Sequence, residues 1–350
     1  MSIIAVVDAG RATRAFYQEY FARIRRESGA DTVLVITDGD LDREGNLSAR
    51  DKYDRTAMFI DCGADSVVEM PMCALLLADN VYCFSVVGLL QKLNGVTQIA
   101  IPYAGGDAEL FDRVATFLFD EPMEYQKKMR ALRAQGVELR HVQADVVGEF
   151  VLGAGEWLRT PMNQLAVKQY IELRKAYFPA KPLPVKLDTA PDMAVYSAAQ
   201  DAYVLDKLTA LLQDKPDPVK WMSSMFYGDE RIAQRVWDIV STGSASTFTQ
   251  LSEMAERPGE PAMAIRWHLM ACLTGYRKVD SYVCIIYYYI PYVRVLGTKD
   301  EAMLARMEEI ISTTMLVDTA RGRDMSRLTD SAKQLLADID DRARELFAGK

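Results

Sequence analysis

Ile3-Ile4-Ala5-Val6-Val7 and Thr32-Val33-Leu34-Val35-Ile36 are two unbroken apolar runs with a helical pattern between them. A strand with one wet face alternates polar and apolar residues. Runs such as these, rich in Val and Ile, read as strands covered on both faces. Across residues 12–27, Phe16, Tyr20, Phe21 and Ile24 recur at helical spacing, and Gly29 stops the pattern. Strand, helix, strand in that order implies a parallel pair joined by a right-handed crossover.

The same alternation continues outward. A polar loop over 37–50 leads into a helix over 48–62, which ends at Gly63. Ser66-Val67-Val68-Glu69-Met70-Pro71 reads as a third strand, closed by Pro71, which cannot donate to a ladder. A helix over 80–93 and the short strand Gln98-Ile99-Ala100-Ile101 follow, which is the doubly wound α/β pattern. Residues 108–136 read as helix and end in Lys127-Lys128-Met129-Arg130-Ala131-Leu132-Arg133. A further helix runs from Pro161 to about residue 177. The proline-rich stretch 178–191, with Val185-Lys186-Leu187 as a candidate last strand, lies near a boundary. From Ala198 onward the periodicity is helical. The expectation is an α/β domain with a parallel sheet over 1–200 and a mostly α-helical domain over 201–350.

The composition is that of an ordinary globular chain of 350 residues, 50% hydrophobic and 26% charged. Five cysteines without a CxxC pair, and only two histidines, argue against a disulfide framework or a zinc site, and no metal site is expected. The short apolar N-terminus lacks a basic leader, and Tyr282–Val295, the most membrane-like stretch, holds Pro291 and Arg294. That stretch reads as buried helix and loop, and the chain as cytoplasmic with no membrane partner. A net charge of −8 excludes a globally basic nucleic-acid footprint, leaving only local clusters to hold phosphate.

Several short segments, taken in order, resemble the bacterial tRNA(Met) cytidine acetate ligases. They are Arg43-Glu44-Gly45-Asn46, Asp51-Lys52-Tyr53-Asp54-Arg55 and Gly63-Ala64-Asp65-Ser66-Val67-Val68-Glu69-Met70-Pro71. Gly105-Gly106-Asp107, Thr160-Pro161-Met162-Asn163, Ile290-Pro291-Tyr292-Val293-Arg294-Val295-Leu296-Gly297 and Asp338-Ile339-Asp340-Asp341-Arg342-Ala343 continue the likeness to the end of the chain. The resemblance implies a Rossmann-like, HUP-type nucleotidyltransferase domain of the HxGH superfamily. It also implies ATP, with magnesium, as cofactor, acetyl-AMP as intermediate and elongator tRNA(Met) as acceptor.

Two departures bear on activity. Where the resemblance calls for the two histidines of HxGH, this sequence has Thr13 and Phe16, within Gly10-Arg11-Ala12-Thr13-Arg14-Ala15-Phe16. Phenylalanine has no hydrogen bond to give a phosphate. Where it calls for a second phosphate-binding arginine, the match is Val195-Tyr196-Ser197-Ala198-Ala199-Gln200-Asp201. The expectation is therefore a diverged relative that no longer adenylates acetate and binds a nucleotide, an RNA or a protein partner. The alternatives are an active ATP-dependent ligase and a cleft turned to another acyl or nucleotide substrate; homo-oligomerisation is left open.

The cleft candidates follow from the same alignment of motifs. Asp8, Gly10, Arg11, Thr13 and Arg14 lie where the first strand meets its helix, and two guanidiniums at a helix N-terminus suit an anion. Asp51, Lys52 and Arg55 form the second group, although Asp51 and Arg55 also have the spacing of a plain helix salt bridge. Gly105, Asn163 and Lys186 complete the set. For RNA, the candidates are Lys127, Lys128, Arg130 and Arg133, helped by Arg294. The loop Asp38–Arg43 reads as solvated, His141 and His268 as non-catalytic, and Tyr282, Tyr287, Tyr288, Tyr289 and Tyr292 as packing residues.

Overall fold

The computed structural model describes residues 2–135, 139–187, 197–320 and 322–349, with the side chains of 139–141 excepted. The two opening runs are β1 (Ile3–Val7) and β2 (Thr32–Thr37), paired in parallel, with α1 (Arg14–Ser28) crossing between them. All six residues of β2 are buried, which is why the run carries no polar alternation. Next come α2 (Lys52–Asp61), β3 (Ser66–Glu69), α3 (Met72–Leu75), α4 (Asp79–Gln91) and β4 (Val96–Ala104). The single helix expected over 108–136 is two, α5 (Ala108–Asp120) and α6 (Met123–Ala134). Glu121 turns left-handed at φ 43° and Pro122 has no amide to continue the ladder. Then follow α7 (Leu139–Phe150), α8 (Ala154–Leu158), α9 (Pro161–Lys175) and β5 (Lys181–Leu187). β5 holds Pro182 and Pro184, which a strand tolerates at a sheet edge, and it is an edge strand beside β4.

The rest of the chain is mostly helix: α10 (Ala198–Gln213), α11 (Pro218–Ser223), α12 (Glu230–Thr242), α13 (Phe248–Ala255), α14 (Ala262–Thr274) and α15 (Lys278–Ile286). The helical reading of this half misses three strands, however. β6 (Val293–Thr298), α16 (Glu301–Ile310), β7 (Met315–Thr319), β8 (Gly322–Asp324) and α17 (Ser331–Ala348) close the chain. The sheet order is β5-β4-β1-β2-β3-β6-β7-β8, so the sheet crosses the expected boundary at residue 200. It is parallel from β5 to β3; β6 joins β3 antiparallel, β7 is parallel to β6 and β8 antiparallel to β7.

Three apolar cores fill the molecule. One packs α4, α5 and α9 on one face of the sheet, and one packs α1 and α2 on the other. The third belongs to α10, α12–α15 and α17, and it reaches Leu316 of β7, Met72 of α3 and Leu41. All five cysteines are free thiols and buried. Among the described residues no helix is long and apolar enough to cross a membrane. The stretch 282–295 is the end of α15, a turn and the start of β6, and its expected burial fails at Tyr282, Ile285, Ile286 and Tyr288, which are exposed.

Candidate functional site

In a doubly wound sheet, ligands bind beyond the carboxyl ends of the strands, where neighbouring crossovers diverge. Here the crossovers diverge between β1 and β4, and the candidates that follow β1 stand at its edge. Asp8 follows β1, and its Oδ1 accepts from the Gly10 amide at 2.7 Å and from the Tyr17 hydroxyl at 2.5 Å. Burial raises the Asp8 pKa, and these two bonds oppose the rise. The Tyr17 oxygen also accepts from the Ala12 amide at 3.2 Å. An amide at the mouth of α1, where an anion would dock, is thus already bonded within the chain.

The neighbouring candidates turn away from one another. Thr13 is exposed, and its hydroxyl accepts from the Phe16 amide as the cap of α1. Phe16 stacks on Tyr20 at 5.3 Å between ring centres. Arg14 pairs with Asp61 at the far end of α2, 3.0 Å away, with both side chains more than half exposed. Arg11 pairs with Asp42 at 3.0 Å and Glu44 at 3.6 Å. The acidic loop is not solvated as expected, for Asp38, Asp40 and Asp42 are all buried. Asp42 folds the loop on itself by accepting the amides of Glu44 and Asn46, both at 2.9 Å.

Arg55 fills most of the remaining space. It is 2% exposed. One guanidinium nitrogen donates to the Ala9 carbonyl at 2.8 Å and to Thr37 Oγ1 at 3.3 Å. The other donates to the Gly39 carbonyl and to Ser48 Oγ. The stem of Arg55 passes so close to Gly10, at φ 70°, that a Cβ there would lie 2.7 Å from Arg55 Cδ. Asp38, beside this guanidinium, has its pKa pushed up to about 6 by burial, with Arg55 opposing. The cavity left between Gly10, Asp38, Asp42, Ser48, Arg50 and Arg55 is about 10 Å³. That is room for about one water, whereas ligand sites run to hundreds of Å³. This space, beside the unpartnered Arg55 Nε, is too small for the phosphates of a nucleotide.

Across β1, three more candidates hold a turn together. Gly105 follows β4 at φ 64°, and its carbonyl accepts from Trp157 Nε1 at 3.2 Å. Asn163, fully buried, bonds both the amide and the carbonyl of Ala104 and the carbonyl of Trp157. Lys186 offers its carbonyl to Arg23. In the second expected phosphate element, Val195 and Tyr196 lie outside the described residues. Ser197 and Gln200 form a capping box on α10, and Asp201 accepts from the amide and hydroxyl of Thr249 on α13.

The other candidates converge on a different place, where β3, β6, β7 and α17 meet. Lys52 Nζ lies 3.1 Å from Glu69, 3.3 Å from Asp318 and 3.4 Å from Asp40. Arg294 reaches Asp318 at 3.0 Å, Asp341 at 3.4 Å, Asp340 at 3.5 Å and Glu69 at 3.7 Å. Neither cation is more than 1% exposed. Burial works against the Lys52 ammonium, but Glu69 and Asp40 outweigh it and hold its pKa above that of an ordinary lysine. Asp340 accepts from the Tyr292 hydroxyl at 2.5 Å and the Met72 amide at 2.9 Å, and burial lifts its pKa to about 6. Asp51 caps α2 and pairs with Arg344 of α17 at 2.7 Å; Arg344 also binds Asp40 at 2.9 Å. Arg294 is therefore not on an RNA-facing surface but at the centre of a buried ionic junction.

Comparison with known proteins agrees with this architecture. A family model described as HIGH Nucleotidyl Transferase matches residues 19–192, a span that begins after Thr13 and Phe16. The tRNA(Met) cytidine acetate ligase of Syntrophomonas wolfei is 22% identical over 243 residues, covering 67% of this chain and 57% of that protein. The ligase of Clostridium perfringens is 20% identical over 151 residues, covering 43% and 38%. The structure of Thermotoga maritima TmcAL bound with alpha-thio ATP covers 100% of this chain and 94% of its own, at 15% identity and a TM-score of 0.78. This chain is a distant homologue of the cytidine acetate ligases. The matched part spans 57% or less of the sequences of the two ligases compared, although the fold extends over nearly all of the Thermotoga chain.

On this ligase-like scaffold the basic helix α6 stands apart from both buried loci. Lys127, Arg130 and Arg133 are exposed, and Lys128 pairs with Glu149. Arg130 and Arg133 border an open groove of about 400 Å³ with Tyr125, Met129 and Gln143. His268 is buried, with Nδ1 3.0 Å from the Phe226 carbonyl, and burial lowers its pKa to about 4; the side chain of His141 lies outside the description. The expectation that the tyrosines pack inside holds for Tyr292 but not for Tyr282 or Tyr288. Of the residues that build the two loci, Glu69, Tyr292, Asp340 and Asp341 stood within the motif segments and were legible there. Nothing in the sequence pointed to Tyr17, Asp318 or Arg344.

Proposed function

We propose that this chain is a cytidine acetate ligase relative that does not adenylate acetate and acts by binding a macromolecular partner. The observation that carries this reading is the Tyr17 hydroxyl, which bonds both the Ala12 amide and Asp8 in the place where phosphate would dock. Thr13 and Phe16, at the positions that the resemblance gives to the HxGH histidines, supply a helix cap and a packing ring. Electrostatic stabilisation of developing charge is usually the largest single term in such catalysis, and a phenylalanine ring has no hydrogen bond to give it. A nucleotide is bound in the Thermotoga protein; the reading for this chain rests on the small space that its own side chains leave beside Arg55. The exposed cations of α6 are the RNA-facing surface in this reading, suited to backbone phosphates rather than bases.

The test is acetate-dependent release of pyrophosphate from ATP by the purified chain. The expected result is release at background level. Release above background that Arg11→Ala or Arg14→Ala abolishes would overturn the proposal and restore the active ligase.

A further inference from the structure

The helix α15 carries an apolar face that the adenylation chemistry does not use. Its inner side is anchored by Asp280 and Cys284, both at most 1% exposed. Outward, Val279, Tyr282 and Ile286 recur at i, i+3 and i+7, with Ile285 beside them, all between 51% and 72% exposed. Tyr288 extends the face and lies 6.3 Å, centre to centre, from Phe84 of α4. Tyr288 and Tyr289 both hold left-handed backbone, at φ 52° and 64°, which costs energy in any bulky residue. The turn thus keeps Tyr288 outward at 61% exposure against the preference of both the backbone and the ring.

We infer that this face is a two-fold interface between two copies of the chain. Six large apolar side chains this exposed offer on the order of 600 Å², the upper end of what a monomer leaves uncovered. That is most of the about 800 Å² that each partner gives to a standard stable interface. Charge selects the occupant. Each chain carries a net charge of −8, so two copies meet most readily on a face without carboxylates. The exposed side of α15 has none, for Asp280 is turned inward to Arg277, and the one free cation of the face among the described residues, Lys278, sits at its end. A polyanionic RNA needs a row of cations, which this face lacks. In an isologous contact the helix crosses its own image, and the middle of the face, Tyr282, lies beside the axis.

Sedimentation equilibrium of the full chain across the micromolar range tests this. The wild type is expected at twice the chain mass. Tyr282→Asp and Ile286→Asp, both at exposed positions, should weaken association at least tenfold while leaving the circular dichroism and melting temperature in place. Tyr282→Cys should form an inter-chain disulfide on mild oxidation, against a low background because the five native cysteines are buried. A wild type that keeps the mass of one chain at the highest concentration overturns the inference. So does a dimer that either aspartate leaves intact, or a Tyr282→Cys dimer that fails to cross-link.

Discussion

The crevice beyond β1 and β2 and the junction of β3, β6, β7 and α17 are both buried and both polar, and each holds a cation that the sequence marked for the cleft, Arg55 in the first and Lys52 in the second. They differ in where the charge goes. At the junction, Lys52 and Arg294 each face at least three carboxylates, and two halves of the chain are joined through them. In the crevice, Arg55 is bonded chiefly to main-chain carbonyls, and the space beside it is closed. Both regions keep buried guanidinium nitrogens without a hydrogen-bond partner, Arg55 Nε in the crevice and Arg294 Nε and Nη2 at the junction. Removing a cation from the junction destabilises the protein, whatever becomes of the chemistry.

The largest effect is expected at the junction. Arg294→Met leaves Glu69, Asp318 and Asp340 buried around an apolar side chain, and losing one partner of a buried ionic set costs about 3–5 kcal/mol. A urea titration should show a large fall in the midpoint or loss of soluble protein. A midpoint within error of the wild type would break the contrast drawn above.

A smaller effect is expected in the crevice, and it depends on pH. Burial raises Asp38 from 3.8 to about 6. A carboxyl raised in the folded state binds protons more tightly there than in the unfolded chain. Its stabilising contribution is full below the unfolded value and is lost as pH rises through about 6. Asp38→Asn should remove that loss and gain on the order of 2 kcal/mol at pH 8 relative to pH 4, compared with the wild type. Urea midpoints for both proteins at the two values check it. An unchanged difference would mean that Asp38 is no more costly to ionise than a junction carboxylate such as Asp318, whose pKa the cation Lys52 helps to lower despite burial.

The smallest effect on stability belongs to the surface. Changing Lys127, Lys128 and Arg130 to Glu should alter stability by no more than about 0.5 kcal/mol, since these side chains hold nothing buried. Binding to unmodified elongator tRNA(Met), followed by anisotropy, should weaken several-fold at low salt and fade as salt is added to the wild type. No binding by the wild type at low salt would remove RNA and leave a protein partner.

The sequence by itself determined the parallel half of the sheet. The runs 3–7 and 33–36 lie almost wholly buried, so their apolar character is continuous, and the shorter buried strand 66–69 keeps Val67 and Val68 at its centre. It also carried the family, because the motif residues are joined to the core and stand in chain order. What the tertiary structure alone decided is where those residues point. β6 reads as a short apolar run in helical surroundings, and its partner β3 lies more than two hundred residues earlier, beyond the reach of any local pattern. Arg294 looks like a free cation until that pairing carries it between Asp318 and Asp340. Tyr17 looks like one more ring on the buried face of α1 until the turn after β1 brings the Ala12 amide and Asp8 to its hydroxyl. Periodicity reports which face of an element is buried; which atoms meet across that face depends on how distant segments are packed together, and here that packing brought Arg55 and Lys52, neighbours on one helix, to two separate polar clusters.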